Sequence, residues 1–168
     1  MDIENISCKY DVRRLTEKYL NEIYELSIEN PLFYQYCPPF VTKESILEDM
    51  KALPPKMTYE DKYYIGFWEG QILIAVMDFI TNYPNYNTVF IGLFMINHLF
   101  QGIGIGSSII EECSLYFKSK GYSFIRLGYA KGNPQSEKFW RKNGFTDTGV
   151  NCQNEGYVAV VLQKTLYN

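Results

Sequence analysis

The sequence predicts an α/β (α+β) domain with roughly six to seven strands and about four helices. Three observations carry that expectation. Apolar residues recur at helical spacing through the N-terminal third, and from Tyr63 the composition turns to β-branched and aromatic strand formers. A glycine-rich segment, Gln101 to Ser107, then separates a strand-like run from a long helical one.

Val12, Leu15, Tyr19, Ile23 and Leu26 keep helical spacing behind Asp11, a good N-cap type, so residues 11–29 are expected to form one amphipathic helix. Asn30-Pro31 reads as its stop, and the aromatic, proline-containing stretch Leu32 to Phe40 reads as a loop. Thr42 should cap a short helix that turns Ile46, Leu47, Met50 and Leu53 inward and stops at Pro54-Pro55. Tyr63 to Trp68 and Gln71 to Thr81 form a hairpin across Glu69-Gly70. Thr88 to Ile96 is apolar on both faces and is therefore a central, covered strand. Ile105, Ile109, Cys113, Tyr116 and Phe117 make a helical stripe, with Lys118 and Lys120 suited to its last turn and Gly121 to its end. Phe124 to Tyr129 is the next strand. Asn133-Pro134 opens a helix as N-cap and first residue, and Gly144 closes it. Phe145 to Cys152 and Tyr157 to Leu166 complete the chain as a second hairpin.

With 168 residues and no linker, residues 1–168 are expected to be a single domain. The balance of 46% apolar and 21% charged residues excludes a disordered or collagen-like chain. Net charge is −3, which argues against nucleic-acid binding through a basic surface. That charge is unevenly spread. Residues 1–100 carry 8 Lys+Arg against 14 Asp+Glu, and residues 101–168 carry 8 against 5, so an acidic front half precedes a basic back half. This division suggests one cationic and one anionic ligand. The longest apolar run, Val89 to Ile96, is far short of the roughly 20 residues that span a bilayer, so no membrane partner is expected. Cys8, Cys37, Cys113 and Cys152 form no C-x-x-C pair; a cytoplasmic location with reduced thiols follows as the expectation.

Gln101-Gly102-Ile103-Gly104-Ile105-Gly106-Ser107 stands between a strand and a helix, where unobstructed amides and the helix dipole favour a phosphate or pyrophosphate. A nucleotide-hydrolysing P-loop would need a Lys before Ser107, and a dinucleotide fingerprint would need an acid at the end of the next strand. Neither is present, which disfavours a nucleotide-binding regulatory domain.

Gln101-x-x-Gly104-x-Gly106 matches the Arg/Gln-x-x-Gly-x-Gly/Ala signature of the GNAT family of acetyl-CoA-dependent N-acetyltransferases. Asn133-x-x-Ser136-x-x-Phe139-Trp140-x-x-x-Gly144-Phe145 resembles that family's second segment, Asn-x-x-Ala-x-x-Phe-Tyr-x-x-x-Gly-Phe. The two segments occur in the family's order and spacing. The resemblance implies a mixed, mostly antiparallel, splayed sheet and direct acetyl transfer from acetyl-CoA to a primary amine of a small molecule or peptide, with no metal. It implies that Phe94, Met95 and Ile96 meet pantetheine through main-chain groups. The amides of Gln101, Gly102, Ile103, Gly104, Ile105, Gly106 and Ser107 would hold the pyrophosphate. Asn133, Ser136 and Phe139 would lie along the cofactor arm, and Lys142 is among the basic residues that would meet its 3′-phosphate. A homodimer is compatible with this reading.

Two departures from the family pattern matter. The family's usual tyrosine acid is replaced by Trp140, whose indole N–H is not a useful acid, so Tyr129 is the expected substitute. The strand Thr88 to Asn97 carries no Glu, which leaves Asp78, within an otherwise apolar strand, as base, relay, amine anchor or paired structural residue. Tyr34, Tyr36, Tyr83 and Arg126 are the expected walls of the acceptor cleft. A catalytically impaired acyl-CoA-binding module is the alternative that these departures favour.

Overall fold

The computed structural model describes residues 1–167; Asn168, the last residue of the expected domain, lies outside them. Its seven strands form one sheet in the order β1-β2-β3-β4-β5-β7-β6. These are β1 (Asp11–Arg14), β2 (Lys62–Glu69), β3 (Ile72–Thr81), β4 (Thr88–Ile96), β5 (Phe124–Ala130), β6 (Thr146–Asn154) and β7 (Tyr157–Thr165). Neighbours pair antiparallel except β4 and β5, which run parallel. The helices are α1 (Leu20–Ile28), α2 (Pro31–Tyr36), α3 (Lys43–Lys51), α4 (Ile105–Ser119) and α5 (Pro134–Lys142). The mixed, mostly antiparallel sheet is the expected one. None of the described helices is long and apolar enough to cross a membrane.

Two N-terminal expectations are corrected. Residues 11–29 do not form one helix: Asp11–Arg14 is an edge strand, Glu17–Tyr19 a 3-10 turn, and only Leu20–Ile28 is α-helical. Val12 and Leu15 fit helical spacing, but the open edge of β2 pairs with this segment, setting Val12 opposite Phe67 in the core. Asp11 caps nothing; its carboxylate accepts from Arg13 at 2.7 Å. Nor is Leu32 to Phe40 a loop throughout, because Pro31 occupies the first turn of α2, where a missing N–H costs nothing. Thr42 caps α3 as expected, and Ser45, not foreseen, returns the bond to make a reciprocal capping box.

The sheet separates two apolar layers. Ile109, Ile110, Cys113 and Phe117 of α4 and Trp140 of α5 pack on one face. Ile23 and Leu26 of α1 and Ile46 of α3 pack on the other, against Tyr64, Trp68, Val76 and Met95. The functional geometry comes from β4 and β5. They pair only from Thr88 opposite Phe124 to Ile91 opposite Leu127, yet run on to Ile96 and Ala130. Beyond Ile91 the strands part, and among the described residues no strand lies beside that edge of β4.

Candidate active site at the parted strands

The loop after β4 delivers free amides to the head of α4. Gly102 and Gly104 have φ of 78° and 91°, a left-handed conformation that disfavours any side chain. Among the described residues no side chain caps α4, and its first hydrogen bond runs from the Ser108 N–H to the Gly104 carbonyl at 3.0 Å. The N–H groups of Ile105, Gly106 and Ser107 are therefore left pointing out of the helix, where its dipole attracts an anion. A Cβ on Gly106 would lie 3.1 Å from the Phe139 ring and 3.5 Å from Ile96, so α4, α5 and β4 converge at this glycine.

A cavity of about 540 Å³ opens at this junction. Phe94, Met95 and Ile96 supply its strand wall, Gln101, Gly102, Gly104, Gly106 and Ser107 its loop, and Asn133, Ser136, Phe139 and Lys142 its third side. Two loop residues expected here do not line it. The Ile103 side chain points to solvent, and Ile105 packs against the core. Asn133 acts as a cap, its side chain accepting from the Ser136 N–H at 3.1 Å. Among the described residues its own amide nitrogen has no partner, although the residue is buried beside the cavity.

Sequence reasoning missed Asn30. Its amide donates to the Leu26 carbonyl at 2.8 Å and the Ile96 carbonyl at 3.1 Å, while the Gln101 amide donates to Asn30 at 2.6 Å and to Ile96 at 2.9 Å. These bonds tie the α1–α2 junction to the glycine loop. The signal was present: Asn-Pro at 30–31 has the same form as the helix-opening Asn-Pro at 133–134.

A second cavity, about 90 Å³, lies where β4 and β5 separate. Gly92 and Phe94 form one wall and Gly128 to Ala130 the other, with Phe33, Cys37, Trp140 and Tyr157 around it. Asp78 lines neither cavity; its carboxylate lies against Gly92, which borders this gap. Both its carboxylate oxygens accept from the Lys62 ammonium, at 2.8 and 2.9 Å, with the two side chains 14% and 4% exposed. A Cβ on Gly92 would sit 3.1 Å from Asp78 Oδ2, so the absence of a side chain there makes room for the carboxylate. Burial pushes the Asp78 carboxyl above the usual carboxylate range, and the Lys62 ammonium pulls it back.

The other expected residues divide. Tyr34 is half-buried beside Phe33 and Phe40 and borders neither cavity; burial chiefly raises its phenol, and the Asp49 charge adds to the shift. Tyr36 is half-buried on α2 and borders neither cavity. Tyr83 and Arg126 are not brought to the cavities. Tyr83 packs on Phe90, near the start of β4, and Arg126 donates to Gln163 at 2.6 Å in the part of β5 that still pairs with β4. The Tyr129 ring belongs to the α4–α5 core, and its hydroxyl lies near Arg141 and Glu137, neither of which borders either cavity. Among the described residues no group of three or more His, Cys, Asp or Glu side chains is arranged to hold a metal ion.

The family model described as the acetyltransferase (GNAT) family matches residues 20–145. The chain belongs to the GNAT acetyltransferase family. No curated protein matches it. Among solved structures, an acetyltransferase from Thermus thermophilus is 18% identical with a TM-score of 0.72, covering 92% of this chain and 96% of its own. The PaiA N-acetyltransferase of Thermoplasma acidophilum, in complex with coenzyme A, is 17% identical with a TM-score of 0.67, covering 94% and 99%. The ribosomal-protein-S18-alanine N-acetyltransferase of Escherichia coli is 10% identical with a TM-score of 0.66, covering 94% of each chain. At these identities the likeness carries the fold, and this GNAT chain's substrates must be argued from its own residues.

Proposed function

We propose that this chain transfers acetyl from acetyl-CoA directly to a primary amine of a small molecule or peptide within a ternary complex. The observation that carries the reading is the continuity of the parted strands with the glycine loop. One end offers a cluster of free amides at a helix start, suited to a pyrophosphate. The other opens at Gly92, against which the Asp78 carboxylate lies.

The pieces fit acetyl-CoA chemically. The pyrophosphate meets the N–H groups of Ile105 to Ser107, and Lys142 supplies positive charge beside them. Pantetheine amides pair with what the β4 edge leaves free, the main chain of Phe94 and the N–H of Ile96, whose carbonyl is taken by Asn30 and Gln101. The Asn133 amide, without a protein partner, donates along the same arm. The thioester carbonyl then comes to the β4 edge near Phe94, whose N–H holds the oxygen as it gains charge.

Acceptor chemistry falls to the α1–α3 side. An ordinary amine at pH 7 is protonated, and freeing its lone pair costs roughly 4–5 kcal/mol. Asp78 anchors the amine or relays its proton through water, while Lys62 fixes the carboxylate that faces Gly92. The direct route needs no covalent enzyme intermediate.

Calorimetry with acetyl-CoA, followed by a thiol-release assay over polyamines, amino acids, aminoglycosides and peptide N-termini, tests this. Saturating acetyl-CoA at a hundred times its dissociation constant stabilises the fold by about 2.7 kcal/mol. Absence of binding ends the acetyltransferase reading; binding with no release from any amine makes the chain a CoA-binding module instead. Asp78→Asn lowers acceptor-dependent turnover more than acetyl-CoA affinity, and equal losses in both would remove Asp78 from the mechanism.

A further inference from the structure

Direct acetyl transfer ends with sulfur leaving as a thiolate. Trp140, 6% exposed, sits beside that point but packs edge-on to Phe139 and Phe145, and an indole N–H does not give up a proton to a thiolate. Tyr129 is turned toward the Glu137–Arg141 pair. A different hydroxyl lies at the gap.

Tyr157 is the first residue of β7, just past the tight turn at Gly156. Ala130 pairs with Ala159, so Tyr157 stands beyond the last paired residue of β5, where that strand gives way to the Asn133 cap. Val160 and Leu162 belong to the α4–α5 core, and alternation along the strand sends Tyr157 to the other face, the one that carries α1, α2 and α3. There it borders the 90 Å³ gap together with Phe94, Trp140 and Cys37. Its hydroxyl lies close to a sulfur, the thiol of Cys37. The hairpin that bears it is seated on the segment after α2, because a Cβ on Gly156 would lie 2.9 Å from Pro38 Cγ.

We propose that the Tyr157 hydroxyl is the proton donor to the departing CoA sulfur. The assignment rests on the acetyltransferase reading above. The amine nitrogen forms its bond to the thioester carbon, and the carbon–sulfur bond breaks with its electron pair going to sulfur. The Tyr157 O–H proton passes to that sulfur, and the proton lost by the amine returns through water to the phenolate. Amine and acetyl-CoA thus become amide and CoA thiol, with nothing left over. Burial holds the phenol above its ordinary range, so it carries its proton throughout the neutral region. Sequence reasoning had no route to this residue, because it belongs to neither family segment and reaches the gap only through the sheet.

The test needs no knowledge of the acceptor. Wild-type and Tyr157→Phe protein are each saturated with free CoA or desulfo-CoA, and the ultraviolet absorbance of the bound thiolate is followed against pH, with the desulfo-CoA titration subtracted. Calorimetry with desulfo-CoA is expected to give the same affinity for both proteins. The CoA thiol bound to wild type is expected to ionise at lower pH than in Tyr157→Phe, because the hydroxyl hydrogen-bonds its anion. Once an acceptor is in hand, kcat of Tyr157→Phe is expected to fall roughly tenfold to a hundredfold with KM for acetyl-CoA unchanged, the low end for lost acid catalysis of a good leaving group. Identical thiol titrations in the two proteins overturn the proposal. So does an equal shift in Cys37→Ala, which would assign the effect to that thiol. Failure of wild type to bind either ligand defeats the underlying acetyltransferase reading, a result distinct from both.

Discussion

Replacing Lys62 by Met leaves the Asp78 carboxylate without its cation. The pair is 4% and 14% exposed and joined by two hydrogen bonds, so removal of one partner strands a nearly dry charge. Such losses run to about 3–5 kcal/mol. The protein has an escape, since Asp78 can take up a proton. From an unfolded carboxyl near pKa 3.9, that costs about 4 kcal/mol at pH 7 and about 1.5 kcal/mol at pH 5. Lys62→Met is therefore expected to cost about 3–4 kcal/mol at pH 7 and less than half that at pH 5. The direction follows from proton binding. Asp78 ionises above its unfolded range in the wild-type fold, and higher still without Lys62. Between the unfolded and folded pKa values the native chain holds a proton that the unfolded chain lacks, so stability falls as pH rises through that window. Urea unfolding at the two pH values measures both numbers. Lys62→Met/Asp78→Leu, with neither charge, should recover most of the loss. A penalty below about 1 kcal/mol at pH 7, or one equal at both pH values, would refute the account of a buried, mutually dependent pair.

Three further outcomes separate the parts of the site. Gly106→Ala sets a methyl 3.1 Å from the Phe139 ring, so urea unfolding should show a loss of about 1–3 kcal/mol from overpacking, and calorimetry a weaker acetyl-CoA affinity as Phe139 is displaced into the cavity. Gly92→Ala covers Asp78 Oδ2, so amine-dependent thiol release should drop while acetyl-CoA affinity holds; unchanged release would mean that oxygen is not reached from the gap. Asn133→Ala removes a helix cap worth about 1 kcal/mol, and if the amide also meets the cofactor arm, the stabilisation gained on adding acetyl-CoA should shrink as well.

The bounds of β4 were legible because Thr88 to Ile96 is a β-forming run, interrupted only by Gly92, between turn residues, and Thr42 was legible as the cap of α3, though its partner Ser45 was not read. The glycine loop was legible for a similar reason: three glycines before a helical stripe leave few conformations to choose from. Asp11–Arg14 was not legible. Helical spacing and strand alternation are both satisfied over so short a stretch, and the free edge of β2, distant in sequence, decides between them. Asn-Pro likewise serves as a stop or a start according to the residues after it; it opens a helix at both 30–31 and 133–134. The acceptor side of the site was hardest to read. Asp78 drew notice as a lone acid in an apolar strand, but Lys62 as its partner, Gly92 against its carboxylate and Tyr157 across the gap are joined only by register between strands. Tyr83 and Arg126 show the converse, since both lie on strands or turns of the site yet beyond the stretch where it opens.

A strand edge left open inside a sheet is ordinarily an invitation to another chain, because unpaired N–H and C=O groups template further β-pairing. β4 has such an edge beyond Ile91, but it is recessed between helices on either face, and its outermost carbonyl, that of Ile96, is already claimed by the amides of Asn30 and Gln101. A flexible, narrow arm can still thread along what remains, whereas a second polypeptide with side chains on both faces cannot. The same geometry that admits a substrate thus screens the protein against self-association at the strand it most needs to leave bare.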